Sequence, residues 1–194
     1  MSQSQPNTTS TAYFQSIFNC ALKAYKQKTK KDLATHPLAT QLQSCNSASA
    51  ILAILQGQVH KFDQSRESDK RWEKWLGPMV NVLYAFSATL GEGVGLAFSP
   101  AKVIFAGIGV LLIAAKDVNG SKDALASLFE RIEHFFKRLE TYTEVPPTSA
   151  MTDIIIKIMV EVLDILAIAT KEMKEGSAKK YLKKLLEGQI SKMR

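Results

Sequence analysis

Hydrophobic residues in this chain recur at three and four residue intervals, the spacing that gathers side chains on one face of an α-helix. Tyr13, Phe14, Ile17, Phe18, Ala21 and Tyr25 form the first stripe. With Ser10 and Thr11 available as caps, it predicts a helix running to about Gln27. The basic run "KQKTKK" closes that helix and suits a C-terminus, where the helix dipole is negative. A short helix fits after Pro37. "SASAILAILQGQVHKF" then predicts another, with Ser47 or Ser49 as N-cap and Ile51, Leu52, Leu55, Val59 and Phe62 on one face. "DQSRESDK" is a charged break. In "RWEKWLGPMVNVLYAFSATL" the pair Gly77-Pro78 predicts two helices or one sharply kinked helix, because proline lacks the backbone donor and crowds the preceding turn.

The next stretch, "GEGVGLAFSPAKVIFAGIGVLLIAAKDVNG", is apolar with six glycines. Gly91 to Gly95 read as a turn, since glycine adopts positive φ cheaply, and Ser99-Pro100 reads as N-cap and first residue of a new helix. The uninterrupted apolar run from Val103 to Ala115 would extend only about 20 Å as a helix, short of a bilayer core of roughly 30 Å. A helix apolar on all sides predicts the buried centre of a bundle, with Gly107 and Gly109 allowing a neighbour to come close.

Leu125, Leu128, Phe129, Ile132, Phe135, Phe136, Leu139 and Tyr142 then fall on one stripe, opposite charged residues. That pattern predicts an amphipathic helix on the bundle surface. Pro146 and Pro147 end it, and Thr148 or Ser149 can cap the next. From Met151 to Glu175 only a thin polar line interrupts the apolar residues (Asp153, Lys157, Glu161, Asp164, Lys171, Glu175), which predicts a largely buried, central helix. Gly176 is placed to stop it, and "AKKYLKKLLEG" predicts a final cationic helix. No strand-like alternation appears. The fold class expected is all-α, a single bundle of about six or seven helices over residues 13–188, between a disordered leader (1–12) and a basic tail (189–194).

The length of 194 residues favours one domain. Cys20 and Cys45 form no metal-binding or disulfide pattern, and no signal peptide is evident, so a cytoplasmic setting is expected. A net charge of +7 asks for anionic partners. Two basic clusters carry it, Lys23 to Lys31 and Lys179 to Lys184. The first has no nucleic-acid motif beside it, and no nucleic-acid partner is expected. The second, with Lys179, Lys180, Lys183 and Lys184, is a candidate membrane or partner-binding patch, because a cationic helix with a Tyr/Leu face can lie on an anionic bilayer or simply dock on the bundle.

Signals for chemistry are sparse. "GEGVGLAFSPAKV" lacks the lysine followed by Ser or Thr that a phosphate loop needs, and no nucleotide or other cofactor is expected. His36, His60 and His134 enter no metal-ligand motif. No nucleophile elbow is present. The alternating charges Glu130, Arg131, Glu133, His134, Lys137 and Arg138 read as a solvated face. No catalytic residue, metal ligand or enzymatic activity is expected.

Three phrases carry a likeness beyond pattern: "FQSIFNCALKAYKQKTKKDLATHPLATQLQSC", "VNVLYAFSATLGEGVGLAFSPAKVIFAGIGVLLIAAKDV" and "LFERIEHFFKRLETYTEVPPTSAMTDIIIKIMVEVLDILAIATKEMK". In this order, from about Tyr13 to Leu186, the chain resembles the Goodbye domain found at the N-terminus of fungal STAND proteins, which are NLR-like receptors. The resemblance implies a role in signalling, non-self recognition or regulated cell death through association with protein partners, self-association included. No Walker motif or repeat array follows Leu186, so an isolated module or a stand-alone homologue is expected. The alternative is a membrane-targeting or membrane-perturbing bundle similar to HeLo-type cell-death domains, peripheral at an anionic membrane on activation.

Overall fold

A computed structural model describes residues 8–64, 66–89, 99–116, 118, 120–144 and 148–176. Within its helices the side chains of residues 8–14, 66–69, 88–89 and 149 are outside the described set. The expected turn at Gly91 to Gly95, the breakers Pro146 and Pro147, the final helix with Lys179, Lys180, Lys183 and Lys184, and the start of the leader all lie outside the described residues.

Among the described residues there are seven α-helices and no strands, as the all-α expectation requires. They are α1 (Thr8–Thr29), α2 (Pro37–Gln43), α3 (Ala48–Phe62), α4 (Arg66–Thr89), α5 (Pro100–Ala115), α6 (Ser121–Leu139) and α7 (Ser149–Lys174), with a 3-10 turn at Glu140–Tyr142. The first helix starts at Thr8, ahead of the expected caps Ser10 and Thr11, and so takes in part of the predicted leader. Extending an existing helix adds one hydrogen bond per residue fixed, so a nucleated helix runs back through polar residues at little cost.

Helix α5 is the hub. It packs against α2, α3, α4 and α7, while α1 lies on α7 and α6 lies on α4. All but a few of its side chains are buried, which fits a helix apolar on every side. Its glycines set the distance to two neighbours: a Cβ on Gly109 would stand 2.0 Å from Leu38 Cδ2 of α2, and one on Gly107 would stand 3.2 Å from Leu166 Cδ1 of α7. Leu128, Phe129, Ile132 and Phe136 of α6 and Ile155, Met159, Val162 and Ile165 of α7 are all buried in one core. An aromatic group ties α3, α4 and α6 together, with Trp72 edge-on to Phe62, Trp75 and Phe129 at centroid distances of 5.9, 5.3 and 5.1 Å.

The caps follow the sequence in part. Ser47 Oγ accepts from the Ala50 N–H at 3.2 Å, and Thr148 Oγ1 accepts from the Met151 N–H at 3.2 Å. Gly176 takes positive φ (70°) after α7. Ser99 holds the N-cap position of α5 but makes no capping bond; Ser87 of α4 supplies it instead, accepting from the Ala101 N–H at 3.2 Å.

Two expectations are corrected and one is narrowed. Of the two readings of Gly77-Pro78, the division into two helices is excluded, since α4 runs unbroken with Pro78 inside it. The carbonyl left without a donor is that of Lys74, an exposed residue that water can serve, and buried Trp72, Trp75, Leu76, Met79 and Val80 clamp the helix on both sides of the proline. Tyr142 leaves the α6 stripe and is 54% exposed. The tightening to 3-10 geometry turns each residue by about 120° instead of 100° and carries it off the buried face. Glu133, read as part of a solvated face, has a side chain only 1% exposed, with Lys137 Nζ 2.7 Å from Oε1 and His134 Nδ1 3.6 Å from Oε2. It stands four residues beyond buried Phe129, so it shares the inward edge of the stripe.

Candidate basic interface

The end of α1 builds an unusual corner. Thr29 is buried; its hydroxyl donates to the Tyr25 carbonyl at 2.9 Å and accepts from the Lys31 N–H at 3.1 Å. Between them Lys30 sits in the left-handed region at φ 58°, where its N–H donates to the Lys26 carbonyl at 2.9 Å. Asp32 then fixes the exit: Oδ1 accepts from the Ala34 N–H at 3.0 Å and Oδ2 from Lys26 Nζ at 2.8 Å. The Lys26 ammonium holds the Asp32 carboxyl below the usual range. Leu33 turns inward beside Gly107.

Helix α7 adds its own lysine to this corner. Lys174 Nζ donates to the Thr29 carbonyl, one of the acceptors that a helix leaves open at its C-terminus. Burial, and next the charge of Lys31, push the Lys174 amine down from its ordinary value. The same two causes, burial first and Lys31 second, lower His36. Neutral His36 caps α2, its Nδ1 accepting from the Leu38 N–H at 3.3 Å. Lys31 therefore stands between two other basic groups, on α7 and at the head of α2. Carboxylates nearby are engaged: Asp32 with Lys26, Asp164 with Lys28, and Glu175 with Lys171 at 3.8 Å. Glu172 is buried, and burial, followed by the charge of Glu175, raises its carboxyl. Among the described residues neither Lys30 nor Lys31 has a carboxylate partner.

Sequence reasoning saw only half of this arrangement. The sequence marks "KQKTKK" as a helix terminus and Lys23 to Lys31 as a basic cluster without a nucleic-acid motif, while its candidate patch, Lys179, Lys180, Lys183 and Lys184, lies outside the described residues. The missing half is Lys174, which only the packing of α7 on α1 brings to the corner. Within the same seam Tyr25 and Thr170 bury their hydroxyls facing each other without a hydrogen bond of ordinary geometry. Burial pushes the Tyr25 phenol up to about 12, against a smaller opposing effect of Thr170.

Among the described residues no group of three or more His, Cys, Asp or Glu could hold a metal ion, and no helix is long and apolar enough to cross a membrane.

The architecture is that of an all-α module organised around one apolar hub helix. The family model of the fungal STAND N-terminal Goodbye domain matches residues 18–142, and the chain belongs to that family. It is thus a module of the type that stands at the N-terminus of NLR-like receptors. The match stops at the 3-10 turn, yet α7 beyond it fills the same core against α1 and α5. No curated protein and no solved structure matches the chain.

Proposed function

We propose that this module acts without catalysis, as a cytoplasmic signalling adaptor that associates with further copies of itself when a receptor clusters it, in non-self recognition or regulated cell death. Membership of the Goodbye family is the observation that carries this reading. The surface supports it in one respect. Ile113 on α5 and Ile154 on α7 are each 56% exposed, although the other isoleucines, leucines and valines of both helices are buried or half-buried. Burying such a side chain in a contact between copies would gain on the order of 1 kcal/mol or more, since half of its surface is still open to water.

The test is a fusion of the chain to a chemically induced dimeriser, followed by light scattering. Assemblies larger than the enforced pair, suppressed by Ile113→Asp or Ile154→Asp, are the expected result. A species that stays at the enforced pair across the accessible concentration range would exclude self-association.

A further inference from the structure

Lys30 is the only non-glycine residue with positive φ among the described residues. A left-handed residue after a helix is ordinarily glycine, because a Cβ is crowded there. The Lys30 side chain repays none of that strain inside the protein: it is exposed and meets no carboxylate. Lys31 beside it is also exposed and raises the electrostatic cost of Lys174 and of protonated His36. Folding thus explains Lys26, Lys28 and Lys174, each holding a partner, but neither of these two.

The geometry points to the corner formed by Lys30, Lys31 and Lys174, where the ends of α1 and α7 meet, as an electrostatic docking surface for the phosphate-bearing headgroups of an anionic lipid bilayer. The composition of the corner selects that occupant. From Lys26 to Thr35 the exposed residues are four lysines, Gln27 and Thr35. Protein interfaces draw most of their affinity from buried Trp, Tyr and Arg anchors, and none of these is exposed between Lys26 and Thr35. Single-stranded nucleic acid needs an aromatic platform, and Tyr25, the aromatic residue of the run, is buried. Arginine, whose planar fork matches a fixed carboxylate or phosphate, is absent from the first 65 residues and from 139–193. Lysines on flexible stems act as point charges, which suits a dense and laterally mobile layer of charge.

Flotation of the full chain with phosphatidylcholine vesicles, with and without phosphatidylserine, tests the assignment. The wild type is expected to float only with phosphatidylserine, and less as salt rises, because exposed charges are screened beyond about 10 Å at 0.1 M. Lys30→Gly combined with Lys31→Gln should weaken this binding on the order of tenfold or more. Lys30→Gly alone should raise the melting temperature by a few degrees while weakening binding, since glycine relieves the strain. A residue kept for folding would show the reverse. A separate variant with Lys179, Lys180, Lys183 and Lys184 changed to Gln isolates the contribution of the following segment. The assignment is overturned if the wild type fails to float with phosphatidylserine, or if the Lys30/Lys31 variant floats as well as the wild type. It is also overturned if soluble phosphate at matched ionic strength, polyglutamate or single-stranded RNA displaces the protein from vesicles at sub-stoichiometric charge. Those outcomes reassign the corner to a free anion, an acidic protein or a nucleic acid.

Discussion

Leu38 of α2 occupies the space that a side chain on Gly109 of α5 would need, its Cδ2 lying 2.0 Å from where that Cβ would be. Leu38 is buried, so its tip cannot swing aside freely. Gly109→Ala should therefore destabilise the fold by about 1–3 kcal/mol through overpacking, less up to about 1 kcal/mol returned by alanine's better helix propensity. Gly107→Ala meets its nearest atom at 3.2 Å and should be close to neutral. Denaturant melts of the two variants check the ranking; equal stabilities would mean that α2 is not seated on α5 as described.

The seam between α1 and α7 makes a prediction at alkaline pH. A phenol raised from 10.0 to about 12 binds its proton more tightly in the folded state. Its contribution is fully present below pH 10 and is lost as pH rises from about 10 to about 12, by about 3 kcal/mol at 1.36 kcal/mol per unit. Tyr25→Phe should abolish this loss and, having no ordinary hydrogen bond to forfeit, leave stability at neutral pH nearly unchanged. Melts of both proteins between pH 9 and about 12 provide the comparison.

His36 works in the opposite direction. Its proton affinity is lowered in the fold, so its contribution is present above the ordinary value of 6.5 and is lost as pH falls through the folded value. The reason is mechanical as well as electrostatic, because a protonated Nδ1 cannot accept from the Leu38 N–H. His36→Asn keeps an acceptor at the cap and should flatten the pH dependence as pH falls below 6.5, whereas His36→Ala should cost about 1 kcal/mol at neutral pH. Thermal melts over that range distinguish the two.

Glu133 and Lys137 form an asymmetric pair, one carboxylate buried and one ammonium half exposed. Removing the lysine strands the carboxylate, and Lys137→Ala should destabilise by about 1–3 kcal/mol. Glu133→Met fills the same space without a charge and should be neutral to within about 1 kcal/mol. A double-mutant cycle read by chemical denaturation would expose the coupling, and equal losses from the two single changes would contradict the burial of Glu133.

Local periodicity settled where most of this protein is helical and which side of each helix faces inward. The stripes of α6 and α7, the caps Ser47 and Thr148, the stop at Gly176 and the all-round burial of α5 each depend on residues a few positions apart. At that range the 3.6-residue repeat is nearly sufficient. Tertiary packing decided what depends on residues distant in sequence. Pro78 stays within one helix because the core holds both of its flanks and water reaches the carbonyl it leaves open. Ser87, twelve residues before Ser99, serves the first turn of α5. Glu133 goes inward because α6 is packed closely enough on α4 to enclose the edge of its stripe. The basic corner exists only because α7 lies along α1, so that Lys174 reaches Thr29 across 145 positions of chain. Pair spacing along a helix cannot encode such a meeting, since it depends on where separate apolar faces find room to bury one another.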